Sequence, residues 1–386
     1  MGDLVNRITR KNQDLVSELP LTISAQYGLI DQNEFFDKRV ASKDVSGYYL
    51  IENGEFAYNK STSTDAPWGA IKRLDRYENG VLSTLYIVFG IKENNLVDSD
   101  FLVSYYSTNL WHKGIHEIAA EGARNHGLLN IAPADFFETK LMIPQDIEEQ
   151  KKIGKYFEEL DHLITLHQRK CEQTKKLKKY MLQKMFPQNG AKVPEIRFDG
   201  FTYDWEQRKF SELYARSSEK NDGSIGMDKN ITVATMQFKN DVKVSTTEYL
   251  KTYYTFKLGD IAFEGHQSKE FRYGRFVEND IGNGIVSHIF AVFRPIQEYD
   301  LYFWKYAINN ETLMQRILAR STKASTMMHD LVTNDFLNET FLVPSVKEQK
   351  QIGAFLNKLD NLITLHQRKC DELKKMKKYM LQNMFI

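Results

Sequence analysis

A 38-residue segment occurs twice in this chain, and it constrains the architecture more than any other feature. The first copy, at residues 149–186, reads EQKKIGKYFEELDHLITLHQRKCEQTKKLKKYMLQKMF, and the second, at residues 348–385, reads EQKQIGAFLNKLDNLITLHQRKCDELKKMKKYMLQNMF. The copies are identical at 26 of 38 positions, including an unbroken LITLHQRKC. A repeat of this length indicates a duplicated structural unit, here of about 200 residues.

Each copy predicts one long helix with a narrow seam, because its mostly apolar positions recur at spacings of four and three. The seam residues are Ile153, Phe157, Leu160, Ile164, His167 and Cys171 in the first copy and Ile352, Leu356, Leu359, Ile363, His366, Cys370 and Leu373 in the second. Pro144 and Pro344 suit the helix starts. Such a helix would be about 57 Å long, so we expect the two to pack as an antiparallel coiled coil. The alternative interpretation is that the helices form a rigid coiled coil with no further functional meaning.

The segment before the first long helix also corresponds to the segment before the second. Residues 54–58 (GEFAY) resemble 259–263 (GDIAF), and residues 80–89 (GVLSTLYIVF) resemble 284–293 (GIVSHIFAVF). Such β-branched and aromatic runs, bounded by Gly and Asn, predict strands, and residues 100–120 and 300–320 are predicted as helices. The sequence therefore predicts an α+β protein with two similar mixed α/β domains, each followed by a long helix.

Composition excludes several classes of protein but does not select one. No apolar run is long enough to span a membrane, and the N-terminus carries no secretory signal, so a cytoplasmic protein without a membrane partner is expected. Lys and Arg number 52 against 51 Asp and Glu, a net charge of +1. Nucleic-acid binding is not indicated by this balance, since such proteins often carry a basic field.

The repeated helix, with its pattern P…EQ…IG…LD.LI..H, resembles the specificity subunit of type I restriction-modification systems. A second match is the lead-in segment, residues 193–209 (VPEIRFDGFTYDWEQRK), which resembles the start of that family's target-recognition domains. The resemblance covers essentially the whole chain. It implies domain 1 at residues 1–143, a central helix at 144–186, domain 2 at 187–343 and a C-terminal helix at 344–386.

The resemblance also implies a function and partners. Each target-recognition domain would read one half of a bipartite site in double-stranded DNA, while the helices set the unread gap and dock two modification (methyltransferase) subunits. Those subunits would use S-adenosylmethionine to methylate adenine N6, and restriction (endonuclease and translocase) subunits would use ATP and Mg. The complex would be a type I site-specific deoxyribonuclease and adenine-N6 DNA methyltransferase.

This chain is expected to have no catalytic residue, metal or cofactor of its own. It has eight prolines and no Pro-Pro pair, which an adenine methyltransferase needs in its Asp/Asn-Pro-Pro-aromatic loop. No G-x-x-x-x-G-K-[ST], G-x-G-x-x-G, H-E-x-x-H or paired-Cys spacing is present. These absences agree with a DNA-recognition subunit that provides sequence specificity to catalytic partners.

Candidate DNA-binding residues lie in polar, basic segments between predicted elements, because such side chains contact base edges and phosphates. In domain 1 they are Lys60, Ser61, Thr62, Ser63, Lys72, Arg73, Arg124, Asn125 and His126, and in domain 2 they are His266, Gln267, Ser268, Lys269, Arg272, Arg275, Lys323 and Ser325. Solvated turns and helix caps are the alternative interpretation of these segments.

The first half departs from the family pattern, because it has no equivalent of the lead-in segment. Residues 1–4 (MGDL) correspond instead to residues 210–213 (FSEL), so domain 1 is expected to be N-terminally short by the 17 residues of that segment. The alternative function is therefore a truncated, inactive or recombination-cassette specificity subunit.

Overall fold

The structure is a computed structural model, and it describes residues 1–24, 27–64, 66–93, 96–119, 124–125, 127–188, 190–239, 246–325 and 328–385. It divides into unit 1, residues 1–167 with 369–386, and unit 2, residues 168–368. Two helices of 38 residues, Ile147–Lys184 and Val346–Asn383, each contribute one part to each unit. The pattern of the repeat therefore predicted both long helices correctly.

Unit 1 is a mixed α/β unit. Its strands are β1 (Val5–Ile8), β2 (Leu21–Ser24), β3 (Gly28–Asp31), β4 (Tyr49–Glu52), β5 (Phe56–Asn59), β6 (Ala70–Arg73), β7 (Asn79–Leu82), β8 (Ile87–Ile91), β9 (Arg124–Asn125) and β10 (Leu128–Leu129). Its helices are α1 (Gln32–Phe36), α2 (Ser99–Tyr105), α3 (His112–Ile118), α4 (Pro133–Glu138) and the first part of α5 (Ile147–Lys184).

Unit 2 repeats this arrangement. Its strands are β11 (Glu206–Lys209), β12 (Tyr214–Ser217), β13 (Ile231–Thr232), β14 (Gln237–Phe238), β15 (Tyr254–Phe256), β16 (Ile261–Glu264), β17 (Arg275–Glu278), β18 (Gly284–Val286), β19 (Ala291–Pro295), β20 (Thr322–Ala324), β21 (His329–Leu331) and β22 (Thr340–Val343). Its helices are α6 (Phe210–Leu213), α7 (Thr247–Leu250), α8 (Leu301–Ile308), α9 (Glu311–Ser321), α10 (Thr333–Asn338) and the first part of α11 (Val346–Asn383), with a 3₁₀ turn at Met227–Lys229.

A four-stranded antiparallel sheet lies at the centre of each unit, with order β1-β8-β5-β6 in unit 1 and β12-β19-β16-β17 in unit 2. The similar segments 54–58 and 259–263 supply the same strand of the two sheets, β5 and β16. Side chains alternate between the faces of a strand, so Phe56 and Tyr58 of β5 face the helices while Ala57 faces a second layer formed with β2, β4 and β7. Both faces are buried, which explains why the predicted strands are almost wholly apolar.

The two long helices run antiparallel where they meet within each unit. In unit 1, Lys377 Nζ lies 2.6 Å from Asp161 Oδ1. In unit 2 the repeat-equivalent pair, Lys178 Nζ and Asp360 Oδ1, is also 2.6 Å apart. Seam residues are buried beside each pair, which confirms the predicted coiled-coil packing.

A glycine in each long helix lets it approach the domain closely. A Cβ at Gly154 would lie 2.6 Å from the backbone nitrogen of Phe101, at the start of α2. A Cβ at Gly353 would lie 2.6 Å from the backbone nitrogen of Phe303, at the start of α8. These distances are below any normal carbon contact, so the repeated IG dipeptide fixes how each helix packs on its domain.

The segments predicted as single helices at 100–120 and 300–320 are each broken into two. In unit 2 the break falls at Asn309 and Asn310, where the Asn310 side chain accepts a hydrogen bond from Thr312 N and caps α9. In unit 1 it falls between Tyr105 and His112. Short polar side chains compete for backbone hydrogen bonds and can end helices. The sequence prediction did not take this competition into account.

Candidate nucleic-acid interface

Each central sheet projects one loop of ten residues, between β5 and β6 in unit 1 and between β16 and β17 in unit 2. Near its end each loop has a glycine with positive φ, Gly69 at 78° and Gly274 at 77°. A Cβ at Gly274 would lie 2.6 Å from the carbonyl oxygen of Glu264 on the opposite side of the loop. A glycine is therefore required for the chain to close back on itself at this point.

In unit 1 this loop meets the hairpin formed by β9 and β10. The backbone nitrogen of Thr62 donates to the carbonyl oxygen of Gly127 at 2.7 Å, and Leu129 N donates to Lys60 O at 3.0 Å. The Thr62 hydroxyl also donates to Gly127 O, at 3.1 Å. Two segments more than sixty residues apart in sequence therefore form one surface, here called the unit 1 hairpin surface (residues 60–64 and 127–129).

The equivalent contact occurs in unit 2, where the loop meets the hairpin formed by β20 and β21. His329 N donates to Gly265 O at 2.8 Å, and His266 forms a β-bridge with Met328. A Cβ at Gly265 would collide with the carbonyl oxygen of His329, so the two backbones touch. Residues 266–272 and 323–325 form the unit 2 hairpin surface.

The side chains of the unit 2 hairpin surface are largely open to solvent. The predicted residues that are exposed there are His266, Gln267, Ser268, Lys269, Arg272, Lys323 and Ser325. The backbone beneath them is fixed, because the Ser268 hydroxyl accepts from Phe271 N at 3.0 Å and the Glu311 carboxylate accepts from Arg272 N at 3.3 Å. Exposed donors and acceptors on a rigid hairpin are suited to contacting base edges and phosphates.

The unit 1 hairpin surface has the same backbone but different side chains. Ser61 and Ser63 are exposed, whereas Lys60 and Thr62 are partly buried. Lys60 Nζ donates to Ile131 O at 3.4 Å, and burial lowers the pKa of this lysine. The two surfaces therefore offer different hydrogen-bonding groups on equivalent frameworks.

Three other predicted residues, Lys72, Arg73 and Arg275, lie on strands, and the two arginines already have partners. Arg73 contacts Asp75 at 2.6 Å and Asp100 at 2.7 Å. Arg275 forms an ion pair with Glu264 at 2.8 Å.

Lys72 faces the long helices, and its pKa is lowered by burial and then by the nearby Lys377 ammonium. Whether it or the two strand arginines contact DNA stays a prediction.

The other predicted residues of unit 1 fall at the edge of what the structure describes. Arg124 and Asn125 form β9, which pairs with β10, but only their backbone is described. His126 lies outside the described residues.

The sequence interpretation missed the residues that join the loops, namely 127–129 and 328–329. A further aromatic contact supports each loop, between Trp68 and His116 in unit 1 (ring centroids 5.1 Å apart) and between Tyr273 and His329 in unit 2 (5.3 Å). The sequence carries no signal for these contacts, because the partners are far apart along the chain.

The described part of the chain offers neither a metal-binding cluster nor a membrane-spanning helix. Among those residues no group of three or more His, Cys, Asp or Glu is placed to hold a metal ion. Among the helices described, none is both long and apolar enough to cross a membrane.

Fold and surface together define a duplicated recognition protein, with two related α/β domains that each display a polar hairpin surface and pack on antiparallel long helices. Comparison with known proteins identifies the family. The type I restriction modification DNA specificity domain matches residues 42–176 and again residues 203–375. The chain therefore belongs to the type I restriction-modification specificity family, as its sequence pattern predicted.

Individual relatives are distant. The type I restriction enzyme MjaVIII specificity subunit of Methanocaldococcus jannaschii is 23% identical over 322 residues, covering 79% of this chain and 73% of that protein. The solved type I restriction-modification S subunit from M. genitalium is 14% identical and matches 100% of this chain and 94% of its own, with a TM-score of 0.59. The HsdS subunit from Thermoanaerobacter tengcongensis is 18% identical, matches 100% and 95%, and has a TM-score of 0.47.

Membership of the family confirms several predictions. The chain is a DNA-binding specificity subunit of a type I restriction-modification system, and such subunits recognise DNA without catalysing a reaction. It therefore acts with DNA and with other subunits of such a system.

Proposed function

We propose that each unit reads one half of a bipartite DNA site through its hairpin surface, while the long helices set the unread gap. The observation that carries the proposal is the pair of equivalent hairpin surfaces, built on the same backbone contacts but bearing different exposed side chains. Two similar frameworks with different donors and acceptors fit two different half-sites.

The unit 2 hairpin surface allows a test of half-site assignment. Gln267→Ala and Lys269→Ala remove exposed side chains without disturbing a described contact, so both variants are expected to fold. If Gln267 contacts a base, its loss should cost about 1–3 kcal/mol and relax the sequence preference at one position. If Lys269 contacts a phosphate, its loss should instead weaken binding to all sequences and lower the salt dependence of binding.

The measurement is methylome sequencing of a host that expresses the variant chain with its modification subunit. Relaxation confined to one half-site supports the proposal, and changes in both half-sites contradict it. Glu298→Ala, at an exposed residue outside both hairpin surfaces, is the matched control. Methylation by the unaltered chain also decides against the truncated or cassette alternative, whereas a complete lack of methylation favours that alternative.

The gap is tested by lengthening both helices by whole turns, which adds about 5.4 Å per turn. If the helices act as a spacer, the unread gap lengthens while both half-sites stay the same. An unchanged gap would contradict this role.

We also propose that the helices dock two modification subunits. Leu177 and Tyr180 are exposed on α5, and their repeat equivalents Met376 and Tyr379 are exposed on α11. Each pair lies three residues apart, so its members share one helix face. Because an equivalent pair of exposed large side chains occurs on each of the two helices, the two pairs suit two copies of one partner.

This docking predicts that Tyr180→Ala weakens binding of one modification subunit and that adding Tyr379→Ala weakens binding of both. Mass measurement of the reconstituted complex by light scattering gives the stoichiometry. Leu258→Ala, an exposed apolar residue in a loop of unit 2, serves as the control. An equal loss of binding with the control variant would contradict the assignment of this helix face as the docking site.

The catalytic chemistry is proposed to reside in these partners. The modification subunits would carry S-adenosylmethionine, and the restriction subunits would use ATP and Mg. A binding assay with the isolated chain and S-adenosylmethionine tests this division, since it should detect no binding.

A further inference from the structure

One tight turn has the same form in both units. In unit 1 it spans residues 83–86 (STLY), between β7 and β8, and in unit 2 it spans residues 287–290 (SHIF), between β18 and β19. Each turn is closed by a hydrogen bond from the backbone nitrogen of its last residue to the carbonyl oxygen of its first, 3.0 Å long in unit 1 and 3.1 Å long in unit 2. Both segments are therefore hydrogen-bonded β-turns.

The fold accounts for the last residue of each turn but not for the third. Tyr86 packs on the apolar layer behind the sheet of unit 1, and Phe290 packs on the equivalent layer of unit 2. The third residue is open to solvent, with Leu85 57% exposed and Ile289 73% exposed. Turns favour Gly, Pro, Asn, Asp and Ser, so a large aliphatic side chain at this position serves neither the turn nor the core.

The exposed aliphatic residue recurs although its surroundings differ. The residue before it is Thr84 in unit 1 and His288 in unit 2, both exposed, and the two hairpin surfaces also carry different side chains. Differences between the units suit two different half-sites, whereas a shared feature suits something that both half-sites have in common. Single exposed aliphatic residues are normal on protein surfaces, but that does not explain a pair at equivalent positions of a duplicated domain.

Strand register places each turn at the same end of the sheet as the hairpin surface of its own unit. In unit 1, Tyr58 near the end of β5 pairs with Ile87 at the start of β8, so the loop after β5 and the turn before β8 leave the sheet together. In unit 2, Phe263 pairs with Ala291 in the same way. Paired strands lie about 4.8 Å apart and DNA rises about 3.4 Å per base pair, so turn and hairpin surface can contact one half-site.

We infer that Leu85 and Ile289 each make an apolar contact with DNA, against the deoxyribose faces that line a groove of the half-site. The inference rests on the proposed function, because it takes the hairpin surfaces as the side of each unit that faces DNA. The occupant is DNA because the turns leave the same sheet ends as those surfaces and because the family is a DNA specificity family. Sugars are the same at every base pair, which fits a side chain type that both units share.

A contact of this kind supplies affinity without sequence preference. Apolar side chains pack in DNA grooves without neutralising phosphates, so removing one should leave the salt dependence of binding unchanged. This behaviour differs from that expected of Lys269, whose loss lowers the salt dependence. It also differs from that expected of Gln267, whose loss relaxes the preference at one position.

The test uses the full chain reconstituted with its modification subunits and a duplex carrying the target found by methylome sequencing. Ile289→Ser places a turn-favouring residue at the exposed position, so thermal stability should equal or exceed that of the unaltered chain. In anisotropy titrations at several salt concentrations, affinity should fall about tenfold. The factor should be the same for the target and for duplexes with single base-pair changes. Leu85→Ser should behave alike, whereas Ile289→Leu should bind as the unaltered chain does.

Leu258→Ser is the matched control, because Leu258 is an exposed leucine at the opposite end of the same sheet, three residues before β16. Unchanged affinity of Ile289→Ser, or an equal loss in the control, would overturn the inference. Uracil in place of single thymines removes one methyl group at a time. If one such change reproduces the loss and abolishes the effect of Ile289→Ser, the contact is with a base and the inference is wrong.

The hairpin variants separate this inference from the proposed function. If the turn variants bind normally while Gln267→Ala relaxes one half-site, the proposed function stands and the apolar contact does not exist. If neither the turn variants nor Gln267→Ala and Lys269→Ala change binding, the proposed function fails together with the inference.

Discussion

Glu278, at the end of β17, should make the stability of unit 2 depend on pH. Its side chain is 2% exposed, and neither carboxylate oxygen has a hydrogen-bond partner in the structure. Burial, and then the nearby Asp280 carboxylate, raises the pKa of Glu278 well above its ordinary value. Asp300 adds to this effect, while the Lys305 ammonium opposes it.

The sign follows from the direction of the shift. A glutamate whose pKa is higher in the folded state binds its proton more tightly there, so it favours folding at a pH below its unfolded pKa. That contribution is lost as the pH rises from about 4.5 towards the folded value. Over this window the free energy of unfolding should fall by about 1.4 kcal/mol per pH unit from this group alone.

Glu278→Gln keeps the size of the side chain and removes its titration. The variant should gain stability relative to the unaltered protein by about 1.4 kcal/mol for each pH unit above the unfolded pKa, until the pH reaches the raised folded pKa of Glu278. Urea unfolding, read by hydrogen exchange in peptides from β17, reports on this unit separately. Glu298→Gln is the exposed control and should show no such trend, and equal pH slopes for Glu278→Gln and the unaltered protein would refute the reasoning.

Two further predictions concern the long helices. Gly353→Ala should lower the free energy of unfolding by about 1–3 kcal/mol, because the new methyl would press on the backbone of Phe303; stabilisation, as at an open helix position, would contradict the close packing. In a double-mutant cycle measured by chemical denaturation, Lys178 and Asp360 should couple by about 0.2–1 kcal/mol. Asp360→Ala should cost more than Lys178→Ala because Asp360 also accepts a hydrogen bond from Tyr306 at 2.6 Å, and equal costs would count against that bond.

The repeat and its periodicity predicted the long helices and their antiparallel packing, and the similar segments before each helix predicted corresponding strands in the two domains. These features depend on patterns that are local or that recur at a fixed distance. The breaks between α2 and α3 and between α8 and α9 were missed, because short polar residues decide them against an otherwise helical pattern. The hairpins β9–β10 and β20–β21 were missed because their strands have only two or three residues.

For the candidate site, composition selected the loops but could not show which of their residues are free to contact DNA. Arg73 and Arg275 resemble free DNA-contacting arginines in the sequence, yet Arg73 lies beside Asp100 of α2 and Arg275 lies beside Glu264 of the neighbouring strand β16. Pairs of this kind depend on how strands and helices meet, which spacing does not show. The meeting of Gly265 with His329 was hidden for the same reason.

The two units also show which positions the duplicated framework constrains. Gly154 and Gly353 approach the starts of α2 and α8 in the same way. Gln150 accepts a hydrogen bond from Asp98 N at 2.9 Å, and Gln349 accepts one from Asp300 N at 3.1 Å. The glycine and glutamine at the start of each long helix therefore fix helix to domain.

Elsewhere the chemistry differs at equivalent positions. Arg73 of β6 forms an ion pair with Asp100, whereas its counterpart Glu278 of β17 has no hydrogen-bond partner. Such differences lie inside the sheet as well as on the hairpin surfaces. Exchange of a hairpin surface between units should therefore need the strands beneath it as well, since the charge at the strand end must match its own helix.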